Sequence, residues 1–550
     1  YKKFPYSAPP ELGHAAVTRR PLVVIGCGPV GLAAAIDARQ HGIPVLLLDD
    51  DDTVSVGSRG LCYAKRTLEI LDRLGCGQPV VDKGVGWDVG RTFFRNDEVF
   101  NFNLRPQPGF KRPGMVNLQQ YYLEAYMVQR AQAAGVELRW KNKVVSVAPH
   151  DDHVTLQVET PDGSYAIEAD WLIVCDGARS PVRTMLGLDI DGKVFMDRFL
   201  IADVVMKADF PAERWFWFDP PFHPNQSVLL HREADDVYRI DFQLGWDVDP
   251  EEEKKPEKVI PRIKAMLGDD REFTLEWVSV YTFQCRRMTD FRHGRCLFAG
   301  DAAHQVSPFG ARGANSGVQD ADNLIWKLKL VMDGKAPAAL LDTYSSERGF
   351  GADENILNST RSTDFITPKS AVSKTFRNAV LELSRDLPFA RKLVNSGRLS
   401  VPCFLTDSPL NTPDSELFAG DMVPGAPMDD APIEADGQPS WLIDHVGGRF
   451  TALYFCDDPA AITEAMQLQL QGLAEAAIPV DTLVIAKRAG QCGLKVVVDR
   501  EGMAFPRYDA QAGTLYLVRP DQHVAARWRE AEVSRIVAAV ARATANFAEE

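Results

Sequence analysis

Short apolar runs that each stop at a glycine mark out this chain. Leu22-Val23-Val24-Ile25 contains no polar residue and stops at Gly26, and after Gly31 comes the alanine-rich stretch Leu32-Ala33-Ala34-Ala35. An apolar run without polar alternation predicts a strand buried on both faces, and the alanines after a glycine turn predict a helix. Gly42 closes that helix, and the run from Ile43 to Leu48 predicts a second buried strand ending at Asp49. The pattern returns twice. Trp171-Leu172-Ile173-Val174 leads into Asp176-Gly177, and Cys296-Leu297-Phe298-Ala299 leads into Gly300-Asp301, a glycine-rich loop and a helix from about Val318. Between 191 and 289 the character changes to short alternating runs such as Arg214-Trp215-Phe216-Trp217-Phe218 and Tyr238-Arg239-Ile240-Asp241-Phe242, which predict an antiparallel sheet with Glu251-Glu252-Glu253-Lys254-Lys255 as a solvated connector. Beyond 391 a proline-rich stretch precedes strands that alternate with helical segments, while residues 1–20 show no periodicity and read as a loose arm.

The expected fold class is therefore α/β. A Rossmann-like dinucleotide-binding domain occupies 1–190 and 290–390, an antiparallel-sheet domain is inserted at 191–289, and a further α/β domain fills 391–550. At 550 residues the chain exceeds one hydrophobic core, which agrees with three domains.

The first turn carries the clearest chemistry. Gly26, Gly28 and Gly31, with Pro29 and Val30 between them, have G-x-G-x-x-G spacing. Such a turn lets a pyrophosphate approach the backbone and points free helix N–H groups at it. Asp49, with Asp50 beside it, stands where a carboxylate would take the ribose hydroxyls, although Asp49 to Asp52 also read as a plain acidic turn. Arg59 is placed to meet phosphate or ribose.

A net charge of −15 and a pI near 5.3 argue against nucleic acid or an anionic membrane as partner. No apolar run is long enough to span a bilayer, and the first residues lack a signal peptide's apolar core, so the expected location is cytoplasmic. The nine cysteines include no C-x-x-C pair, and no metal-ligand spacing occurs, so no metal is expected. On the strands and loops that follow, His231, Tyr281 and Gln284 are the catalytic candidates, with Asp241, His304 and Arg286 as further polar groups; each also reads as an ordinary satisfied polar residue.

With these segments in place the chain resembles the group A flavoprotein monooxygenases, the aromatic hydroxylases related to phenol hydroxylase and 3-(3-hydroxyphenyl)propionate hydroxylase. Gly26, Gly28 and Gly31 match the dinucleotide fingerprint, Asp176-Gly177 with Arg179 the Asp-Gly motif, and Gly300-Asp301 with Pro308 and Gly310 the Gly-Asp motif. The resemblance implies FAD, with Asp49 on the adenosine ribose, Arg59 and Gln120 along the cofactor, Asp176 near the pyrophosphate and Asp301 on the ribityl chain. Residues 310–315, including Gly313, Ala314 and Asn315, would lie beside the isoalloxazine ring. It implies reduction by NADH or NADPH, reaction with O2 through a flavin C4a-hydroperoxide, and hydroxylation of a small phenolic substrate. The C-terminal part resembles the thioredoxin-like domain of the phenol hydroxylase branch; without C-x-x-C its expected role is structural, with a homodimer open. Two positions depart from the pattern. Ala311 replaces a glycine, and Leu61 stands where phenol hydroxylase-like relatives carry an aspartate that assists deprotonation. The alternatives are a flavin monooxygenase acting on a larger polycyclic natural product and a non-catalytic FAD-holding interaction protein.

Overall fold

The computed structural model describes residues 1–547 apart from 15, 106, 269, 270 and 398. Its first sheet is built on the strand Thr18–Ile25, which pairs in parallel with Gly163–Val174 on one side and Val45–Leu48 on the other. Cys296–Phe298 extends the sheet beyond Gly163–Val174, and Glu137–Arg139 extends it beyond Val45–Leu48, both in parallel. The register sets Ile25 beside both Val174 and Leu48, and Val174 beside Phe298. All four apolar runs therefore end at one edge. Helix Pro29–Gln40 starts there on the proline, whose missing N–H costs nothing at a helix start, and packs against the long helix Gly313–Met332.

The middle sheet has eight strands in the order His304–Gln305, Thr274–Arg287, Asp191–Val205, Val237–Leu244, Ser227–Arg232, Arg214–Phe218, Val89–Phe94 and Asp97–Asn103. Two of these come from 89–103 and one from 304–305, so segments on both sides of the insertion complete the sheet. One face, with Leu200, Ala202, Leu230, Ile240 and Phe242, is covered by helix Pro256–Leu267 through Val259 and Ile263. The other face turns toward the first domain and gathers Phe199, Phe216, Phe218, Phe283 and Phe309.

Two local expectations change. The arm is docked, with Phe4 stacked on Trp140 at 4.4 Å and Glu11 paired with Arg139 at 2.8 Å; isolated anchors of this kind leave no periodic signal. The acidic connector is partly a helical turn, Pro250–Glu253, whose Glu253 is buried against Arg262.

The C-terminal sheet runs Gln438–Trp441, Pro432–Ala435, Lys495–Val498, Val480–Ala486, Phe450–Cys456, Leu515–Val518 and Val524–Trp528. Its three central strands are parallel and a hairpin closes one edge, the thioredoxin-like arrangement expected. Buried charges fasten it to the first domain. Arg519 donates to both oxygens of Glu347 at 2.7 and 2.9 Å and to Asp521, while Lys327 reaches Glu347 at 2.7 Å. Burial alone would raise the Glu347 pKa, but Arg519 and Lys327 outweigh it and hold the carboxyl well below its ordinary range. Arg66 bridges Asp322 and Gln522 in the same interface.

Removing one member leaves buried charges uncompensated. Arg519→Ala is expected to cost about 3–5 kcal/mol in chemical denaturation. An unchanged midpoint would contradict the clamp.

Candidate active site

The fingerprint glycines have different reasons to be glycine. A Cβ on Gly26, which has φ +101°, would stand 2.3 Å from the Cys175 carbonyl oxygen, and one on Gly31 would stand 1.9 Å from the Gly26 oxygen. A Cβ on Gly28 would meet no protein atom within 4 Å. The first and third positions are dictated by close packing of the turn, whereas the second borders free space at the N-terminus of Pro29–Gln40. No side chain caps that helix start. Its N–H groups are available to a phosphate.

Asp49 lies at the adjacent strand end. Its carboxylate accepts the Cys27 N–H at 2.5 Å and the Asp51 N–H at 2.8 Å, and burial pushes its pKa up to about 6. Asp50 and Arg59 are exposed on the rim. Gln120 donates to Ser55 Oγ at 3.1 Å and to Glu124 at 2.7 Å, while Glu124 accepts both the Ser55 N–H and hydroxyl at 2.6 Å. Gln120 thus shapes the loop that carries Arg59. Asp176 accepts the Val182 N–H with one oxygen, and its other oxygen is buried with no partner. Gly177 adopts φ +82°, and Arg179 is exposed.

Gly300 has φ +62°, and its added Cβ would stand 2.9 Å from Val30 Cγ2, so the third strand end presses on the fingerprint turn. Asp320 holds this turn by accepting from Gly300 N at 2.9 Å and from Arg348 at 2.6 Å, with His304 Nε2 at 2.6 Å on the same carboxylate. His304 is therefore spent on the turn. Asp301 is solvent-accessible yet burial raises its pKa, as for a side chain lining a cleft inside the protein. A Cβ on Gly313 would be 3.8 Å from Asp301 Oδ1, which places this carboxylate at the start of the long helix. Pro308 and Gly310 lead into that helix, and Ala311 takes φ +52°, a left-handed conformation that costs a non-glycine residue about 1 kcal/mol or more. Ala314 is half-buried beyond it. Asn315 is committed to the backbone of the neighbouring strand, accepting from Ala64 N at 2.8 Å and donating to Cys62 O at 2.9 Å.

The middle sheet covers this cleft. Tyr281 is 43 % exposed, and burial together with the charge of Asp301 pushes its pKa up to about 12. His231 is buried, and its pKa lies well below the ordinary value because of burial and the cations Arg214 and Arg239. Strand alternation puts Tyr281, Phe283 and Cys285 on one face and Gln284 on the other, so Gln284 is not brought together with Tyr281. Arg239, Ser58 and Asn117, which carry the polar contacts around His231, were missed by sequence reasoning. The available signal was the polar alternation of His231, Glu233, Arg239 and Asp241 within aromatic strands.

The cleft suits a dinucleotide: it has free space at Gly28, an uncapped helix start and a buried unpartnered oxygen on Asp176. The fold and the site together define a Rossmann-like dinucleotide-binding protein. The model of the FAD binding domain matches residues 19–358, and the chain belongs to that family. The HcaD C-terminal domain matches residues 432–543. Among curated relatives, the 3-(3-hydroxy-phenyl)propionate/3-hydroxycinnamic acid hydroxylase of Mycolicibacterium smegmatis is 26 % identical over 92 % of this chain and 90 % of its own length. The 6-methylpretetramide 4-monooxygenase of Streptomyces rimosus is 30 % identical over 72 % of each. Of solved structures, the flavin-dependent monooxygenase PieE with FAD and substrate superposes with a TM-score of 0.81 at 24 % identity, over 96 % of this chain and all of that one. The chain is an FAD-dependent monooxygenase.

Asp49→Ala is expected to weaken FAD binding about 10–100-fold, the worth of a charge-assisted hydrogen bond. In the unaltered protein, affinity should fall as the pH drops through about 6, where Asp49 takes up its proton. Fluorescence titration of FAD checks both, and a pH-independent affinity would contradict the ribose role.

Proposed function

We propose that the protein hydroxylates a phenolic aromatic ring using NADH or NADPH and O2. The observation that carries this reading is the buried aromatic cluster of Phe199, Phe283 and Phe309, whose rings stand 5.1–5.4 Å apart where the middle sheet meets the Gly-Asp loop. When bound, FAD supplies electron transfer from the nicotinamide and the activation of oxygen. The chain's own residues do the rest. Gly28 and the start of Pro29–Gln40 take the pyrophosphate, Asp49 the ribose and Asp301 the ribityl chain, while backbone N–H groups of 310–315 face the ring. Phe199, Phe283 and Phe309 hold an aromatic substrate and keep water out. A probable NADH-specific resorcinol 4-hydroxylase of Rhodococcus jostii, 31 % identical over 62 % of this chain, supports both the nicotinamide and the phenol.

A polycyclic phenol is the second reading. It is favoured by the S. rimosus relative and by the structural likeness to aklavinone-11 hydroxylase bound to FAD and aklavinone, TM-score 0.77 at 21 % identity over 96 % of this chain and all of that one. The domain division at 190, 289 and 390 is kept as part of this proposal, with the C-terminal domain in a structural role and a homodimer open. Nine free cysteines fit the reducing cytoplasm, and among the described residues no helix is long and apolar enough to cross a membrane.

The test is oxidation of NADH and NADPH by the yellow holoprotein with a panel running from single-ring to fused-ring phenols. Faster oxidation coupled to a product one oxygen atom heavier is expected, and the responding ring size separates the two readings. Oxidation indifferent to every phenol would contradict both.

A further inference from the structure

The cleft-facing side of the middle sheet carries a line of polar side chains through an otherwise apolar surface. Cross-strand register sets Asp203 opposite Arg239 and Arg239 opposite His231; in the next row Ile201 stands opposite Asp241 and Asp241 opposite Leu229. Residues directly opposite share a face, as do residues two apart on one strand. The row beyond holds Phe199 opposite Tyr281, the tyrosine that feels the charge of Asp301. Asp241 therefore looks toward the same cleft as Tyr281. Asp241, Ile201 and Leu229 are buried side by side on this face, with exposures of 7, 5 and 7 %.

Asp241 is held in place from the loop that carries Arg59. Arg239 Nε donates to Asp241 Oδ1 at 2.8 Å, and the same guanidinium donates to the Ser58 carbonyl. The Ser58 hydroxyl donates to Asp203 Oδ2 at 2.5 Å. Arg239 thus serves two carboxylates, one on each side along its row and the next.

Among the other groups near the cleft, Asp203 is held by the Ser58 hydroxyl with its pKa pushed up to about 6 by burial, and Asp301 lies at the start of the helix Gly313–Met332. Asn117 is oriented by Trp87 Nε1, which donates to its Oδ1 at 2.7 Å, and by the Arg232 carbonyl, which accepts from its Nδ2 at 3.0 Å. That Nδ2 also faces His231 Nδ1 at 3.4 Å, so the ring presents a lone pair at Nδ1 and carries its proton on Nε2. Burial and the cations Arg214 and Arg239 lower this ring's pKa well below the ordinary value, which disfavours a second proton. Tyr281 keeps its proton to about 12. Glu233 is buried with both oxygens unpartnered, and burial, then the charge of Asp203, raises its pKa well above the ordinary carboxylate value. Arg214 and Cys62 complete the charged and titratable surroundings of Asp241.

We propose that Asp241 is the base that takes the phenolic proton of the substrate, with Arg239 as its positioning residue. This deepens the aromatic-hydroxylase reading and rests on it. It fills the role left open by Leu61. The substrate O–H bond breaks, the proton moves to a carboxylate oxygen of Asp241, and the electron pair stays on the substrate oxygen as phenolate. The Arg239 guanidinium, already bonded to Asp241, lies beside the new negative charge. Arg239 keeps Asp203 as counter-charge once Asp241 is neutral. Phenolate formation puts electron density into the ring, which an electrophilic oxygen donor requires.

The experiment uses holoenzyme and Asp241→Asn, first without turnover. The 19F resonance of bound 3-fluorophenol reads whether the phenol is ionised. Wild type is expected to hold it as phenolate at pH 7, and the variant to hold it neutral until the pH nears the phenol's own value of about 10. In turnover, Asp241→Asn should lower hydroxylation at pH 7 on the order of 100-fold, the usual worth of a positioned base. The rate should then climb with pH, and a polyfluorinated phenol already ionised at pH 7 should be hydroxylated by the variant at close to the wild-type rate. A merely structural role would depress both phenols alike. Neutral bound phenol in wild type, or a variant with the wild-type pH profile, would overturn the assignment. If Asp241→Asn loses FAD, Asp241→Glu replaces it: a retained base must restore ionisation of the bound phenol, and failure to do so overturns the proposal. A wild-type protein that ionises the bound phenol but hydroxylates none contradicts the proposed function and leaves the base assigned.

Discussion

Everything in the first domain depends on the parallel register of Thr18–Ile25 with its two neighbours. Because Ile25 sits beside Val174 and Leu48, and Val174 beside Phe298, the loops after four separate strands must converge on one edge. The crowding there explains the glycines. Gly26 meets the Cys175 carbonyl, Gly31 meets Gly26, and Gly300 and Gly317 both meet Val30, in each case closer than a Cβ allows. Two helices, Pro29–Gln40 and Gly313–Met332, begin at this edge without side-chain caps, so their partial positive ends face the same cleft. A ligand carrying a pyrophosphate answers both.

The middle sheet then closes the cleft with a divided surface. Its aromatic part, from Phe199 to Phe283, supplies shape and dryness, while the line through Asp203, Arg239 and His231 supplies charge in a place where charge is expensive. That expense is offset by pairing. Arg239 is shared between carboxylates, and the Glu347–Arg519–Asp521 clamp repeats the solution at the C-terminal interface. The same low-dielectric surroundings that make an unpaired group costly also make a paired one effective on a nearby phenol.

Much of this was legible in the chain because the signals are local. Apolar runs ending at glycine located the strand ends, and Gly28, Asp49, Asp176 and Asp301 follow strands whose ends share one sheet edge. What sequence missed depends on distant pairing. The strands at 89–103 join a sheet whose other members begin a hundred residues later, so nothing nearby announces them. The Asn315 side chain is used by the strand carrying Cys62 and Ala64, a pairing across at least 251 residues that leaves no local signal. His304 looked available until Asp320 claimed it, and Gln284 looked equivalent to Tyr281 until strand alternation separated them. The two-residue spacing of Asp241 from Arg239, which puts an acid and its cation on one strand face, is itself legible in the sequence.

FAD binding at the edge cleft is tested most directly at Gly28. Its φ of −75° suits any residue and its Cβ would enter free space, so Gly28→Ala should leave the apoprotein's thermal unfolding unchanged while abolishing stoichiometric FAD binding. A variant that still takes up FAD with unaltered affinity would place the cofactor elsewhere and contradict the account.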